Sequence, residues 1–248
     1  MMAIDLATFE NLNSQNAVVA HDSSYLNLRQ KALTEAAMEL GVQGGLYSVS
    51  SKINEKLNEW APMLYQLYNF NALLLPDNVL PPVIETGYNT SYIDNSQRQI
   101  NLSGQVYHIV KQAHFVSNVP TWRDYLLMNY KKPEMPDKSV LPENTDEQKL
   151  WAKTIRSSWA QGIKQGVEIF KQNIRTLNRD FNGMVLYYAL INRNMITSPY
   201  VSKHNKPLAI SQDSMAIGNR NWQLKLIPQF QSDSSRWQPI VSEKDQEG

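Results

Sequence analysis

The segment from residue 145 to residue 181 decides the fold, and it reads TDEQKLWAKTIRSSWAQGIKQGVEIFKQNIRTLNRDF. Apolar side chains recur in it at intervals of three and four residues: Trp151, Ile155, Trp159, Ile163, Val167, Phe170, Ile174, Leu177 and Phe181. That spacing places them on one face of a helix. Thr145 and Gln148 fit a capping box, and the acidic Asp146 and Glu147 suit the positive end of the helix dipole. The segment therefore predicts one long amphipathic helix that begins near Thr145.

A second helical pattern lies nearer the N-terminus. Its apolar positions are Leu26, Leu33, Ala37, Leu40, Leu46, Val49, Ile53, Leu57, Trp60, Leu64, Leu67 and Leu74. Three glycines between residues 41 and 45 fit either a break or a tight contact within a continuing helix. Prolines from Pro76 onward end the pattern. We expect the two helical blocks to pack antiparallel, with the Trp151 stripe against the face from Ile53 to Leu67.

The remaining segments predict short β-structure and loops. Residues 76–95 have the composition of a loop, and 97–110 alternate as a β-hairpin around Ser103-Gly104. A second hairpin is predicted at 214–227, turning at Gly218-Asn219, and Gly183 is expected to bend the helical block. The fold class is therefore mainly α (α+β), with long antiparallel amphipathic helices and small β-hairpins. We expect a flexible N-terminal arm at 1–23, a single domain at 24–230 and a flexible tail at 231–248.

The composition restricts the class of protein. The chain has 248 residues, 42% of them hydrophobic, which suffices for a packed core without disulfides. Its net charge is +1, so the chain as a whole has no electrostatic preference for nucleic acid or acidic lipid. The absence of cysteine excludes a disulfide, a thiolate nucleophile and a cysteine-ligated metal. The stretch from Met1 to Gln15 lacks the basic and apolar regions of a signal peptide.

Common catalytic and metal-binding motifs do not occur in the sequence. Its four histidines are not accompanied by a Gly-x-Ser-x-Gly motif, and they form no His-x-x-x-His or His-Glu-x-x-His pattern. The glycines at 41–45 lack the lysine of a phosphate-binding loop. We therefore expect no catalytic residue, no cofactor and no metal site, and we expect His114 to be a buried structural histidine.

Two alternative functions remain open at this point. Acidic residues cluster near Pro133 and Pro142, and a pair that included Glu134 would suit a periplasmic cell-wall hydrolase. Residues 150–180 hold six basic and two acidic side chains, so Lys164, Lys171 and Arg175 on one helix face would suit a DNA-contacting module. A solvated loop and a solvated helix face explain the same two patterns without a function.

An aromatic cluster in the proline-rich connection from residue 110 to 136 suggests a surface for a partner protein. Trp122 and Tyr125 flank Arg123, which is able to stack on an aromatic ring. Tryptophan and tyrosine bury a large area while keeping a polar group available, which suits interfaces. We predict partner contacts at Trp122, Arg123 and Tyr125, with Tyr200 near the C-terminal hairpin as a fourth. A loop pinned to its own helices is the alternative.

The order of several short motifs resembles a known family. These motifs are Leu80-Pro81-Pro82-Val83, Ala113-His114-Phe115, Pro120-Thr121-Trp122-Arg123-x-Tyr125, Lys132-Pro133-Glu134-x-Pro136, Phe181-x-Gly183-Met184-x-Leu186-Tyr187, Asn194-Met195-Ile196 and Pro199-Tyr200-Val201. Together they cover roughly residues 28–227 and are similar to DotC, an outer-membrane lipoprotein of type IVB (Dot/Icm) secretion systems, and to its relatives in plasmid conjugation systems.

The resemblance implies a structural and non-enzymatic role. DotC-like proteins lie at the periplasmic face of the outer membrane, where they help a DotD-like lipoprotein to place the DotH-like protein in the ring-shaped core complex. The family brings no catalytic residues, cofactors or direct nucleic-acid contacts. It is anchored by a lipid on an N-terminal cysteine after a signal peptide, and this chain carries neither. Asn182 also stands where the family pattern has a second glycine.

Overall fold

The computed structural model of the chain describes Leu6, Glu10 and residues 23–93, 100–210 and 215–238. The predicted arm at 1–23 therefore lies almost entirely outside the described residues, and so does most of the predicted tail at 231–248. Within the described ranges the α-helices are α1 (Ser23–Glu59), α2 (Ala61–Leu67), α3 (Trp122–Leu126) and α4 (Thr145–Ile191). Among the described residues, no helix is both long enough and apolar enough to cross a bilayer.

The strands form antiparallel pairs. They are β1 (Val79–Leu80), β2 (Val83–Ile93), β3 (Ile100–Lys111), β4 (His114–Phe115), β5 (Tyr200–Ile210) and β6 (Met215–Leu226). The pairs are β1 with β4, β2 with β3, and β5 with β6. Short 3-10 helices lie at Phe70–Leu73, Pro76–Asn78, Lys138–Val140 and Ser234–Arg236. The predicted class, mainly α with small β-hairpins, is confirmed.

The chain divides into two compact units. Unit 1 comprises Met1–Gln66 and Arg123–Arg175, and unit 2 comprises Leu67–Trp122 and Thr176–Gly248. Each unit therefore combines two separate stretches of the chain. The single domain predicted at 24–230 stays a prediction, and the two units are described separately below.

In unit 1, α1 packs against the first part of α4, and the two helices run parallel. Ala37 O accepts a hydrogen bond from Ser158 Oγ at 3.4 Å, and twelve residues further along α1, Val49 lies against Gly166. Residue numbers thus rise together along both helices, so the predicted antiparallel packing is wrong. Antiparallel neighbours are expected when the connection is short. Here residues 60–144 separate the helices, which is enough chain to return to the starting end.

The core of unit 1 forms where the first turns of α4 meet α1. Its buried members are Leu33, Ala37, Leu40, Leu141, Trp151, Ile155 and Trp159. Trp151 and Ile155 are 0% exposed, whereas Ile163 further along the same stripe is 36% exposed. Trp151, Ile155 and Trp159 therefore meet the α1 face from Leu33 to Leu40, and the prediction that set this end of the stripe against the face from Ile53 to Leu67 is wrong.

Glycines allow the backbones of α1 and α4 to approach closely. A Cβ atom on Gly45 would lie 2.3 Å from Trp159 O, and one on Gly162 would lie 2.3 Å from Val42 O. Both obstacles are backbone atoms, which move less readily than the end of a flexible side chain. The helix α1 continues through all three of its glycines. Of the two interpretations left open by the sequence, the tight contact is therefore the correct one.

The N-terminus of α4 is capped one residue earlier than predicted. Asn144 Oδ1 accepts from Glu147 N at 2.8 Å, and Glu147 Oε2 accepts from Glu143 N at 2.8 Å. Asparagine is one of the best N-cap residues because its side-chain oxygen satisfies a free backbone N–H group of the first turn. The capping residues are therefore Asn144 and Glu147, in place of the predicted Thr145 and Gln148.

An arginine of α1 completes this cap. Arg29 donates from Nε and Nη2 to the Glu147 carboxylate at 2.9 and 3.1 Å, and it also reaches the carbonyl oxygens of Ser139 and Leu141 at 3.1 and 3.2 Å. Burial on its own would raise the pKa of Glu147. The hydrogen bonds and charge of Arg29, together with backbone N–H groups, nevertheless hold that pKa below its usual value.

Glu147→Gln is expected to destabilise the protein by about 1.5–3 kcal/mol at neutral pH, because it removes a hydrogen-bonded carboxylate. A lowered pKa in the folded state gives stability that is present above the unfolded pKa and is lost as the pH falls through the folded pKa. The difference between wild type and variant should therefore shrink below about pH 4. Urea unfolding at neutral and acidic pH measures this, with the exposed Glu134→Gln as control. An equal difference at both pH values would contradict the assignment.

Unit 2 contains two long hairpins. The β2–β3 ladder runs from Val83 opposite Lys111 to Ile93 opposite Ile100. The β5–β6 ladder runs from Tyr200 opposite Leu226 to Ile210 opposite Met215. The predicted hairpins are therefore wrong in their topology, because the predicted turns at Ser103-Gly104 and Gly218-Asn219 lie inside β3 and β6.

The missing partner strands lie in segments that resemble loops. The sequence of β2, VIETGYNTSYI, combines β-branched and aromatic residues with the glycine and asparagine that are typical of turns. The predicted loop at 76–95 is therefore wrong for β1 and β2. The strand β3 continues through Gly104. Nothing lies within 4 Å of a Cβ built on this residue, so no close contact requires a glycine there.

Gly183 allows a close contact between α4 and the start of β2. It does not bend the helix, because α4 continues to Ile191. A Cβ atom at this position would lie 2.6 Å from Val83 Cγ1 and 2.9 Å from Ile84 N. The start of β2 is therefore able to lie directly on α4. The predicted bend is wrong because the glycine meets a steric requirement between two elements, which the local sequence does not reveal.

Charged and polar groups also link α4 to the strands of unit 2. Asp180 is fully buried and accepts hydrogen bonds from Lys111, the last residue of β3, and from Arg179 at 3.0 Å. His114, predicted to be buried, is instead exposed on β4, with Nδ1 3.0 Å from Gln112 O. The β1–β4 pair is only two residues long on each side, so it leaves the imidazole uncovered.

Candidate docking surfaces

Of the four predicted contact residues, the structure places Trp122 in the interior. Its side chain is 0% exposed. Trp122 therefore packs the short helix α3 against the interior, and its predicted contact with a partner stays a prediction that this burial does not favour. Its neighbour Tyr125 is half-buried.

Arg123 is engaged inside unit 1. It donates from Nε to Tyr65 Oη and from Nη1 to Asn58 Oδ1, both at 2.9 Å, and its guanidinium carbon lies 5.8 Å from the centre of the Tyr65 ring. These contacts fasten α3 to α2 and to the end of α1. The sequence thus correctly indicated stacking of Arg123 on an aromatic ring, but the ring belongs to the same chain.

A groove of about 560 Å³ runs between α1 and the segment that follows α3. Its walls are Ala36, Glu39, Leu40, Gln43, Leu46, Tyr130, Lys131, Lys132, Glu134, Met135 and Pro136. Glu134 thus lies beside a concave surface, and Glu39 is the second carboxylate of the lining. Glu39 accepts a hydrogen bond from Gln43 Nε2 at 2.9 Å. In the described ranges, no group of three or more histidine or acidic side chains could hold a metal ion.

The basic stripe on α4 is partly neutralised. Lys171 Nζ donates to Glu168 Oε1 at 2.8 Å. This hydrogen bond and the lysine charge lower the pKa of Glu168, which favours the ionised pair at neutral pH. Lys164 and Arg175 form no ion pair with any residue that the structure describes. Their charges also act on Glu168, so these two cations offer only a modest attraction to a phosphate backbone.

The clearest unpartnered surface lies on the hairpin of β5 and β6. Directly opposite residues of a hairpin point to the same side of the sheet, and side chains alternate along each strand. The residues paired as Val201 with Leu224 and Lys203 with Trp222 therefore share one side, which we call the ribbon face. The register shifts between Tyr200 and Val201, and beyond this shift Tyr200 pairs with Leu226 at the end of the ribbon. The opposite side carries polar residues: Ser202, His204, Asn221 and Gln223.

Three large side chains of the β5–β6 hairpin are open to solvent. Tyr200 is 58% exposed, Leu226 62% and Trp222 41%. Exposed apolar residues are common when scattered singly, but several large ones within one short hairpin favour an interaction surface. The Tyr200 prediction thus falls on a surface suited to docking, and its contact with a partner stays a prediction.

Comparison with protein families gives a match over most of the chain. Residues 27–239 match the family T4SS_TraI, described as type IV secretory system, conjugal DNA-protein transfer. The chain belongs to this family. It therefore has a role in a type IV conjugation system, as the motif resemblance predicted at the coarser level. No curated protein matches the chain.

The matched range of this conjugal-transfer protein includes both the groove and the ribbon face. Sequence reasoning found Tyr200 but missed Trp222 and Leu226, which were assigned to a self-contained hairpin. A signal for them was present, because Trp222, Leu224 and Leu226 alternate with Gln223 and Lys225. That period of two is typical of a strand with one apolar side.

Proposed function

We propose that this conjugal-transfer protein is a DotC-like structural subunit of the outer-membrane core complex. In this role it acts at the periplasmic face of the outer membrane with a DotD-like lipoprotein, and it supports placement of the DotH-like component in a ring-forming assembly. It performs no reaction and uses no cofactor. Attachment to the outer membrane is through a lipid anchor.

Membership of the type IV secretory family is the observation that carries this proposal. The DotC-like motifs support the finer assignment because their order extends over most of the matched range. Surface chemistry supports a docking role, since the β5–β6 hairpin leaves tyrosine, tryptophan and leucine side chains in solvent. Tyrosine and tryptophan are enriched where protein surfaces meet.

Membrane fractionation of conjugating cells tests the proposal. In cells that lack this chain, the DotH-like component should leave the outer-membrane fraction, and conjugative transfer should fall by at least about tenfold, as expected for the loss of an assembly step. Re-expression of the full chain should restore both. Unchanged placement of the DotH-like component in the deletion strain would reject the DotC-like role.

A further inference from the structure

The β5–β6 hairpin has open edges as well as an uncovered face. In the described part of the chain β5 and β6 pair only with each other, so the outer edge of each strand presents backbone N–H and C=O groups to solvent. Such an edge accepts a further strand by backbone hydrogen bonding. Unpaired backbone groups are costly in hydrocarbon, so an open two-stranded ribbon suits a protein strand better than the interior of a lipid layer.

The charge of the hairpin points to an acidic occupant. Residues 200–227 carry four lysine or arginine residues and a single acidic residue, whereas the whole chain has a net charge of only +1. Arg220 and Lys225, both on β6, are exposed and form no ion pair with any described residue. Their charge is therefore available to a carboxylate brought by a partner.

Unit 2 contains an internal example of the same recognition. Lys203 on the ribbon face pairs with Asp77 Oδ1 at 2.5 Å, while its ammonium lies 5.0 Å from the centre of the Trp222 ring. A carboxylate, a lysine and an aromatic ring thus meet on the β5 side of the ribbon face. On β6 the cations and the apolar side chains are present, but no carboxylate of the described residues joins them.

We propose that the outer edge of β6 binds an extended segment of another subunit, in which acidic and apolar side chains alternate. The segment adds to the ribbon as a third strand. Its apolar side chains extend the ribbon face next to Trp222 and Leu224, and its acidic side chains meet Lys225. This inference rests on the proposed structural function, and it specifies the contact through which the subunit is held.

Photo-crosslinking in conjugating cells tests the contact directly. A benzoylphenylalanine replaces Leu226 in the full chain, and the same group replaces Tyr88, a 69% exposed residue of the other hairpin, as control. We expect a peptide adduct at position 226 from another subunit, with alternating acidic and apolar residues, and no such adduct at position 88. Adducts to lipid, to nucleic acid or to a second copy of this chain would overturn the inference, as would no adduct.

A charge reversal provides the second arm. Lys225→Glu should lower the adduct yield at position 226 by at least about fivefold, because it places like charges together. Lys164→Glu, an exposed lysine of α4, should leave the yield unchanged. Equal yields in both variants would overturn the acidic character of the segment. If the DotH-like component still depends on this chain while position 226 gives no peptide adduct, the inference fails and the proposed function stands.

Discussion

Trp151→Ala is expected to lower the free energy of unfolding by about 3–5 kcal/mol, the range for truncating a large aromatic side chain in a core. Trp151 is 0% exposed and packs in the cluster that joins α1 to α4. The truncation leaves a cavity that neighbouring side chains fill only in part, so the lost contacts add to the lost hydrophobic burial. Denaturant unfolding of the purified chain measures the effect.

Trp60→Ala is the matched control for this experiment. Trp60 is 55% exposed at the end of α1, so its removal should change the free energy of unfolding by no more than about 1 kcal/mol. Comparable losses in the two variants would show that the Trp151 cluster is not the core of unit 1.

Gly162→Ala is expected to destabilise the protein by about 2–3 kcal/mol, although alanine is favoured over glycine by about 1 kcal/mol within a helix. The added methyl group would lie 2.3 Å from Val42 O, and the α1 backbone must move to accommodate it. Because α1 and α4 are close along several turns, moving one contact also loosens its neighbours. The expected sign is therefore opposite to that predicted from helix propensity.

Gly104→Ala is the control for the glycine prediction, because nothing lies within 4 Å of the added atom. Its effect should be neutral or slightly stabilising, since glycine in a strand interior carries an entropic cost. Thermal melting of both variants measures the difference. A Gly162→Ala variant as stable as wild type would contradict the close approach of the two helices.

The sequence predicted the helices because their apolar spacing is a local signal. It identified the stripe of α4, and it correctly left open a tight contact at the α1 glycines. It did not predict the parallel packing, because the direction of two helices depends on the path of the long connection between them. The cap shifted by one residue because Asn144 and Thr145 are both suitable caps, and only the contact of Glu147 with Arg29 distinguishes them.

The strands and the docking residues were harder to predict because both depend on contacts between distant parts of the chain. A strand is defined by its partner, and β2 and β5 pair with segments to which local turns were assigned. The burial of Trp122 likewise depends on tertiary contacts that a five-residue helix does not reveal. Tyr200 was chosen for its residue type and position, and its exposure fits that choice. The family level of the resemblance is confirmed, and the DotC-like role remains our proposal.

The central claim is that this chain works by docking in an assembly and not by catalysis. The most direct test of this claim is fractionation of the DotH-like component in a deletion strain that expresses the Glu134→Gln chain. This substitution removes the carboxylate that lines the groove and preserves the size of the side chain. The docking account predicts outer-membrane placement and conjugative transfer equal to those with the wild-type chain. Normal folding of the Glu134→Gln chain together with lost transfer would contradict the account and favour a hydrolase.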